Sequence, residues 1–316
     1  MLSVIIPVYN EKENLKSLHT KLIQALDKLN KEYEVIYVDD SSRDGSYDLL
    51  KEYAQSNEKI MVIRLVRNFG QTLAIQAGID HSKGDILIFM DADLQNNPAD
   101  IPKLLSKMEE GYDVVSGWRR HRKDPLLNKK IPSFIGNSII SSLFGVKLHD
   151  LGCALKVYKR EIISNIRLYG EIHRLLPLYA AMNGASIAEV EVSHNPRLKG
   201  KTHYGWSRVF KVSFDLITLR FLEAYSTKPI YFFGGTGMGL LILGVVTGIT
   251  VIIRKILFKG IWISPLLFIS LLFITMGIQC ILMGLLSEVV IRIYYKSQSE
   301  YSYLIKEIFE KKLKSE

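Results

Sequence analysis

The N-terminal part of the sequence alternates between short apolar runs and longer segments whose apolar residues recur at helical spacing. Each apolar run is bounded by polar or turn-forming residues, which is typical of buried β-strands. The predicted strands are Leu2 to Val8, Glu34 to Val38, Met61 to Leu65 and Ile86 to Met90. The predicted helices are Leu15 to Leu29, a segment that begins near Ser46, and Gly70 to Ala77. Strands that alternate with helices predict an α/β fold with a parallel sheet and right-handed crossovers.

Two later stretches, Ile230 to Ile253 and Ser264 to Ser287, contain no Lys, Arg, Asp or Glu. Each has about 24 residues and is roughly 36 Å long as a helix, enough to cross a hydrocarbon core of about 30 Å. We therefore predict a two-helix membrane hairpin rather than two buried helices of a soluble domain. The first stretch contains the G-x-x-x-G spacing that lets membrane helices approach closely, which is compatible with a homo-oligomer formed through these helices. The glycine pairs are Gly235 with Gly239 and Gly244 with Gly248.

These patterns divide the chain into four predicted parts. Residues 1–203 form the α/β domain, 204–228 an amphipathic juxtamembrane helix, 229–290 the membrane hairpin and 291–316 a polar C-terminal tail. The first apolar run contains Pro7 and leads into polar residues, so it is not a signal peptide. We expect the α/β domain and the tail to face the cytosol. Cations flank the hairpin on both sides, but Arg254, Lys255 and Lys259 lie between its helices, so the charge pattern supports this orientation only in part.

The sequence has a net charge of +9 at pH 7 and a pI near 9.3, which favours an anionic partner. Six of the cations cluster between Trp118 and Lys130, where they form either an anion-binding loop or a solvated charge run. Nucleic acid is disfavoured as the partner because this stretch lacks interleaved aromatic residues. Cys153 and Cys280 fall in a soluble and a membrane segment respectively, which argues against a disulfide, and no zinc-binding spacing is present.

The stretch Asp91-Ala92-Asp93-Leu94-Gln95 follows the fourth predicted strand directly. Alternating carboxylates at the end of a strand point the same way, and ligands of open α/β sheets collect at the carboxyl ends of the strands. Two hard oxygen ligands suit Mg²⁺ or Mn²⁺ carrying a diphosphate. We expect Asp93 and Gln95 to bind the ion, with Asp91 close by. The alternative is a turn that simply favours Asp.

A departing diphosphate also needs cationic hydrogen-bond donors. The candidate donors are Arg119, Lys129, Arg197 and Lys199. A nucleoside needs a flat surface and hydrogen-bond acceptors, and the ends of the first two strands offer both. The candidates there are Pro7, Tyr9, Glu11, Val38 and Asp40. A general base is required only if the acceptor is a hydroxyl, because a phosphate is already an anion near neutral pH.

With these motifs in their observed order, the chain resembles the family 2 glycosyltransferases that transfer sugars to polyprenyl phosphates, such as dolichyl-phosphate mannose synthase and bacterial undecaprenyl-phosphate sugar transferases. The resemblance covers nearly the whole length and includes the two-span ending. The segments that carry it are Pro7 to Glu11, Val38 to Ser42, Arg67 to Gln71, Asp91 to Pro98, Asp150 to Cys153 and Gly284 to Glu288.

The resemblance implies a GT-A fold and a role for each matching residue. Pro7, Tyr9, Glu11, Val38 and Asp40 would hold the nucleoside, and Asp91, Ala92 and Asp93 the diphosphate. The metal ligands would be Asp91, Asp93 and Gln95, and the metal Mg²⁺ or Mn²⁺. Arg119, Arg197 and His203 would contact the donor, and Lys129 and Ser133 the acceptor phosphate. Asp150 would act as the catalytic base or an orienting group, beside Asp93 as the other catalytic residue.

Two positions depart from the family pattern. Lys129 stands where the family has Arg, which keeps the charge but loses the bidentate fork. His203 stands where Lys is usual, and a neutral His carries no charge. The segments around Arg67 and Asp150 look most like bacterial members that use UDP-sugars, so the resemblance favours UDP over GDP.

We therefore predict an inverting, metal-dependent transferase of the inner membrane that moves a hexose, for example from UDP-glucose, to a polyprenyl phosphate for cell-envelope glycans. A GDP-mannose-dependent synthase is the nearest alternative. A processive polysaccharide synthase is disfavoured because no Trp lies in a Gln-x-x-Arg-Trp signature. A non-catalytic scaffold or flippase component is a different class, and two uncharged spans offer no ionisable pathway for transport.

Overall fold

A computed structural model describes residues 1–120, 148–164, 166, 168, 172–194, 230–258, 264–296 and 303–310. The chain divides into two compact units. Unit 1 comprises Met1–Leu216 together with Tyr301–Glu316, and unit 2 comprises Ile217–Glu300. Unit 1 is therefore assembled from chain segments that precede and follow unit 2 in the sequence.

Unit 1 is built on an eight-stranded mixed sheet with the strand order β7-β5-β6-β4-β1-β2-β3-β8. The strands are β1 (Leu2–Val8), β2 (Tyr33–Asp39), β3 (Ile60–Leu65), β4 (Ile86–Phe89), β5 (Val114–Trp118), β6 (Lys156–Lys159), β7 (Ile187–Glu191) and β8 (Ile305–Glu310). The pairs β1/β2, β1/β4, β2/β3 and β5/β7 are parallel, whereas β3/β8, β4/β6 and β5/β6 are antiparallel. Since β6 is antiparallel to both β4 and β5, the strands β1, β2, β4 and β5 all end at the same edge of the sheet.

Helices cover both faces of this sheet. They are α1 (Lys12–Asp27), α2 (Ser46–Ser56), α3 (Gln71–His81), α4 (Ile101–Glu109), α5 (Arg160–Ile163) and α6 (Leu176–Met182), with short 3-10 turns at Pro98–Asp100 and Ile172–Arg174. One core cluster packs residues of α1, α2 and α4 against the sheet, and a second packs residues of α3 and α6 against the other face. Central strands such as β1 and β2 are apolar on both faces because both are covered.

The four predicted strands and the helices between them are confirmed, with boundaries that match or shift by at most four residues. The strand β8 was not predicted, because the tail beyond Tyr294 reads as polar and Lys-rich. Its residues alternate between half-buried and exposed positions, which is the pattern of an edge strand. Glu307 accepts a hydrogen bond from the Tyr47 hydroxyl at 2.7 Å, and the Tyr303 hydroxyl donates to Asp80 at 2.8 Å.

Unit 2 contains two long helices, α7 (Ile230–Phe258) and α8 (Pro265–Lys296). Both are long and apolar enough to cross a membrane, and most of their large apolar residues are exposed rather than packed inside the protein. The helices approach closely where a side chain is absent, since a Cβ on Gly237 would lie 2.7 Å from the Gly277 carbonyl oxygen. The Ser270 hydroxyl donates a hydrogen bond to the Gly244 carbonyl at 2.7 Å.

Of the two predicted glycine pairs, Gly244 and Gly248 face α8 within the hairpin. Gly235 and Gly239 have no heavy atom within 4 Å of their added Cβ positions in the described part of the chain. A homo-oligomer through these helices stays a prediction. The predicted amphipathic helix at 204–228 lies outside the described residues, and the four-part division of the chain also stays a prediction.

Candidate functional site

The candidate site lies at the edge of the sheet where β1, β2, β4 and β5 end. Pro7 is near the end of β1, Asp40 follows β2, Asp91 follows β4 and Arg119 follows β5. These residues are far apart in the sequence, and the parallel register of the strands brings them to one edge. The sequence predicted this convergence for the first, second and fourth strands.

The segment after β4 forms a tight turn that presents its carboxylates at this edge. The backbone N–H of Gln95 donates to Asp93 Oδ1 at 3.1 Å, and Leu94 has a φ of 61°, in the left-handed region. Gln71 Nε2, at the start of α3, donates to Asp91 Oδ1 at 2.7 Å. The stretch therefore does contain an Asx-type turn, which was the alternative to a metal site. The turn is compatible with a ligand site, because the turn holds Asp93 and the Gln71 hydrogen bond holds Asp91.

The charge of Asp91 is poorly compensated in the ligand-free protein. Burial and the nearby negative charge of Asp93 together raise the pKa of Asp91 to about 6, against the opposing effect of Arg174, Arg119 and Lys156. A divalent cation would relieve this repulsion. Among the described residues no group of three or more His, Cys, Asp or Glu could hold a metal. Two carboxylates nevertheless fit Mg²⁺ or Mn²⁺ that takes its remaining ligands from Gln95, water and a diphosphate.

Arg119 and Asp150 form a bidentate ion pair at the edge of this site. Arg119 Nε lies 2.7 Å from Asp150 Oδ2 and Arg119 Nη2 lies 2.9 Å from Asp150 Oδ1. The backbone N–H of Arg119 also donates to Asp150 Oδ2 at 3.2 Å. Both side chains are about nine-tenths buried, with exposed fractions of 8% and 10%. The resemblance gave these residues separate roles, and the structure joins them into one unit.

The loop that carries Asp150 is held by β7. The Glu189 carboxylate accepts hydrogen bonds from the backbone N–H groups of His149 and Asp150 at 2.9 and 3.0 Å. It also contacts His149 Nδ1 at 2.7 Å, and the His149 ring stacks on Trp118 at 4.4 Å between centroids. Asp150 is thus fixed through its backbone by β7 and through its side chain by the residue that follows β5.

A small cavity lies beside Asp91, between the ends of β1 and β4, the start of β6 and the 3-10 turn at Ile172–Arg174. Lys156 lines it and is only 3% exposed. Its Nζ donates to the carbonyl oxygens of Leu151 at 3.0 Å and Arg174 at 3.4 Å. Burial lowers the pKa of Lys156 to about 8, so the amine is mostly protonated at pH 7.

The predicted nucleoside-binding residues differ in what they expose. The Tyr9 side chain is 47% exposed at the end of β1 and is available for stacking, whereas Val38 is fully buried in the core. Glu11 accepts from Asn14 Nδ2 at 2.6 Å. Asp40 accepts from the backbone N–H groups of Phe69 and Gly70 at 2.7 and 2.8 Å, so its carboxylate holds the loop after β3. Ala92 is buried against the core.

Five predicted site residues lie outside the described part of the chain. They are Lys129, Ser133, Arg197, Lys199 and His203. Their roles in binding the donor or the acceptor phosphate remain predictions.

Sequence reasoning did not identify Lys156, His173 or Arg174, which line the cavity beside Asp91. One signal was available for Lys156, because a lone lysine inside the apolar run Leu155 to Tyr158 is unusual for a buried strand. No comparable signal marks His173 and Arg174, which lie in an irregular segment and reach the cavity only through the tertiary fold. Burial and the charges of Arg174 and Lys156 hold the pKa of His173 well below its ordinary value, so its ring is neutral.

Comparison with known proteins gives a consistent result. A family model described as "Glycosyl transferase family 2" matches residues 3–167, more than half of the chain. A dodecaprenyl-phosphate galacturonate synthase of Rhizobium johnstonii is 37% identical over 314 residues, covering 98% of this chain and 93% of that protein. An undecaprenyl-phosphate 4-deoxy-4-formamido-L-arabinose transferase of Shewanella sediminis is 35% identical over 312 residues, covering 97% and 92%.

Two solved structures resemble the fold at lower identity. Glucosyl-3-phosphoglycerate synthase from Mycobacterium tuberculosis, in complex with Mn²⁺ and UDP-glucose, matches with a TM-score of 0.54 and 18% identity, covering 70% of this chain and 78% of that chain. A mannosyltransferase from Pyrobaculum calidifontis, in complex with GDP-Man and Mn²⁺, matches with a TM-score of 0.52 and 18% identity, covering 71% and 63%. Both likenesses confirm the predicted fold class.

Proposed function

The chain belongs to glycosyl transferase family 2, and from this premise we propose that it transfers a sugar from a nucleotide-sugar to the phosphate of a polyprenyl phosphate in the inner membrane. UDP is the proposed nucleotide and a hexose or hexose derivative the proposed sugar. The names of the two full-length relatives, which specify polyprenyl-phosphate acceptors but different sugars, support the acceptor class more strongly than the sugar.

One observation carries the proposal. The Asp91 carboxylate is acted on electrostatically by Asp93 and by the buried Arg119 and Lys156, so candidate metal ligands and candidate cationic donors are neighbours at this edge of the sheet. Departure of a nucleoside diphosphate needs both, because negative charge grows on the leaving oxygen as its bond to the sugar breaks. A turn that merely favoured Asp would not need buried cations beside it.

The proposed metal ligands are Asp91, Asp93 and Gln95. A divalent ion, when bound, supplies charge neutralisation at the diphosphate. The Gln71 amide orients the Asp91 carboxylate through its hydrogen bond, and the turn at Leu94 fixes Asp93 relative to Asp91. Tyr9 offers its exposed ring to the base.

Attack by the acceptor needs no proton removal, because a phosphate monoester is an anion near neutral pH. A lone-pair oxygen of the acceptor attacks the anomeric carbon as the diphosphate departs from the opposite face, which inverts the configuration. We assign to Asp150 an orienting role: its carboxylate is occupied by the Arg119 fork, and it holds that guanidinium for the donor phosphates. The two apolar helices of unit 2 support a reaction at the bilayer surface, where the lipid acceptor lies.

The proposal is tested by transfer of radiolabel into an organic-extractable product. Detergent-solubilised full-length protein is incubated with Mn²⁺, undecaprenyl phosphate and one labelled donor at a time: UDP-glucose, UDP-galactose, UDP-glucuronate, UDP-galacturonate or GDP-mannose. We expect a labelled lipid of the mass of a polyprenyl-phosphate sugar with at least one UDP-sugar, and its loss in Asp93→Ala. The exposed Glu58→Ala variant is the matched control and should retain transfer.

Three outcomes would count against parts of the proposal. Undiminished transfer by Asp93→Ala would reject the metal assignment. Transfer from GDP-mannose alone would reject UDP. A folded protein that binds none of these donors in calorimetry and forms no lipid product would favour a non-catalytic scaffold.

A further inference from the structure

Lys156 is a buried cation in the cavity beside Asp91, and within the described part of the chain its ammonium group forms no ion pair. Two carbonyl oxygens, of Leu151 and Arg174, accept its hydrogen bonds. An ammonium group carries three N–H donors, so one donor is left for a ligand in the cavity. The Asp150 and Asp91 carboxylates act on this charge from nearby, but Asp150 is already paired with Arg119 and both hydrogen-bond acceptors of Lys156 are neutral, so a ligand of opposite charge would complete the site.

The other groups that line the cavity cannot supply that opposite charge. Burial raises the pKa of the Cys153 thiol to about 11, so it stays neutral, and the His173 ring is neutral as well. Gln71 is an uncharged amide. Asp91 is the one carboxylate that lines the cavity among the described residues, and it is assigned to the metal. Arg174 adds a second positive charge beside Lys156.

The rest of the wall is apolar. Ile75, Phe89 and Met90 line the cavity together with these polar groups. A small space with an apolar wall and a cationic end fits a single negative substituent of a sugar, with the ring at its mouth, better than it fits a diphosphate, which needs donors on several sides.

We propose that Lys156, with Arg174 beside it, binds a carboxylate on the transferred sugar, so that the donor is a nucleotide-activated hexuronate rather than a neutral hexose. This inference rests on the proposed function, because it places the carboxylate of the donor's sugar in this cavity while Asp91 and Asp93 hold the diphosphate through the metal. A neutral hexose has a hydroxymethyl group in place of the carboxylate and gives the third Lys156 N–H no charged acceptor.

Two donor pairs isolate this single group. UDP-glucuronate and UDP-glucose differ only at C6, as do UDP-galacturonate and UDP-galactose. Dissociation constants are measured by calorimetry with Mn²⁺ on detergent-solubilised full-length protein, for all four donors and for UDP. In at least one pair we expect the uronate to bind about 10-fold or more tightly than its hexose, because a buried charge pair is worth that much or more. In Lys156→Met we expect this preference to fall below about 2-fold while UDP binding is retained.

Lys159→Met on the same strand is the matched control. Lys159 pairs with Asp113 at 2.7 Å outside the cavity, so its replacement should leave the uronate preference unchanged. Equal binding of uronate and hexose in both pairs by the wild type would overturn the inference. Loss of UDP affinity in Lys156→Met equal to its loss of uronate affinity would also overturn it, because Lys156 would then serve the diphosphate or the fold. Neither result depends on transfer to lipid, so the proposed function is judged separately by the labelled product.

Discussion

The buried charge of Asp91 lowers the stability of the protein when no metal ion is bound. Its pKa is raised from the ordinary value of 3.8 to about 6 by burial and by the charge of Asp93. A carboxyl group whose pKa is raised on folding favours the protonated form, so its ionisation costs stability. The cost develops as the pH rises from about 4 to about 6 and is fully present at neutral pH. A bound divalent ion would remove it.

We therefore expect Asp91→Asn to stabilise the metal-free protein at pH 7.5. The amide keeps an oxygen that accepts from Gln71 but removes the charge. The expected gain is about 1 to 2 kcal/mol, or a rise in melting temperature of about 2 to 6 °C, measured by thermal unfolding in detergent with EDTA. The same variant should lose Mn²⁺-dependent transfer.

The exposed Glu58→Gln variant removes one negative charge elsewhere and should leave the melting temperature unchanged. The difference between Asp91→Asn and the wild type should shrink as the pH is lowered toward 4. A melting temperature that falls in Asp91→Asn at pH 7.5 would show that Asp91 is stabilising and that its charge is already compensated.

Arg119 and Asp150 allow the orienting role to be separated from a catalytic base. If Asp150 acts only by holding Arg119, removal of either side chain disables the same unit. We expect Arg119→Ala and Asp150→Ala each to lower kcat/KM by about 100-fold, and the double variant to be no worse than the more impaired single variant. The measurement is a double-mutant cycle on initial transfer rates, with nucleotide binding as the check on folding.

A catalytic base would give a different pattern. Its loss would add to the loss of Arg119, and the deficit of Asp150→Ala relative to the wild type would shrink at low pH, where a wild-type base is protonated and inactive. Additive losses together with a changed pH profile would assign Asp150 to proton transfer and an acceptor hydroxyl to the reaction.

The elements at the centre of the sheet were predictable because their sequence signals are local. The run before Asp91 is apolar and short, and the carboxylates follow it at once, so both the strand and the site could be placed. The partnership of Arg119 with Asp150 could not be foreseen, because it depends on β6 lying between β4 and β5 in antiparallel orientation. Lys156 could be seen as unusual, but its cavity is formed by segments from five parts of the chain.

The strand β8 was missed for a related reason. Its alternating pattern is brief, and the residues around it are lysine-rich, so the segment resembles a solvated tail. Its contacts are all long-range: β3 along the backbone, Tyr47 and Lys51 at Glu307, and Lys83 at Glu310. Phe309 packs against the core while the neighbouring Ile308 is 43% exposed.

These two neighbours provide a matched pair for testing whether β8 supports unit 1. Phe309→Ala removes a ring that contacts the core and lies 5.1 Å from Lys51 Nζ, and we expect a loss of about 1 to 3 kcal/mol in stability. Ile308→Ala removes an exposed side chain from the other face and should cost less than about 0.5 kcal/mol. The stability loss of each variant is measured by thermal unfolding in detergent, without and with UDP. Equal effects would show that β8 is not held through the Phe309 face.

The order of the two units along the chain constrains the membrane topology. Unit 1 takes segments from both sides of unit 2, and β8 pairs with β3 in one sheet. A chain that leaves one side of a bilayer and returns to the same sheet must cross an even number of times. The two helices long and apolar enough to cross a membrane satisfy this requirement, although Arg254 and Lys255 near the end of α7, with Lys259 after it in the sequence, oppose the usual charge bias.

We expect the exposed positions Lys28 and Lys306 to lie on one side of the membrane and Lys259 on the other. Single cysteines are placed at each position in a Cys280→Ala background, where the remaining Cys153 is buried. With a membrane-impermeant maleimide, Lys28→Cys and Lys306→Cys should react only after spheroplasts are lysed, because the proposed orientation places unit 1 and its nucleotide-sugar site in the cytosol. Lys259→Cys should react in intact spheroplasts. Labelling of Lys306→Cys but not Lys28→Cys from outside would be incompatible with the pairing of β8 and β3, since strands of one sheet cannot lie on opposite sides of a bilayer.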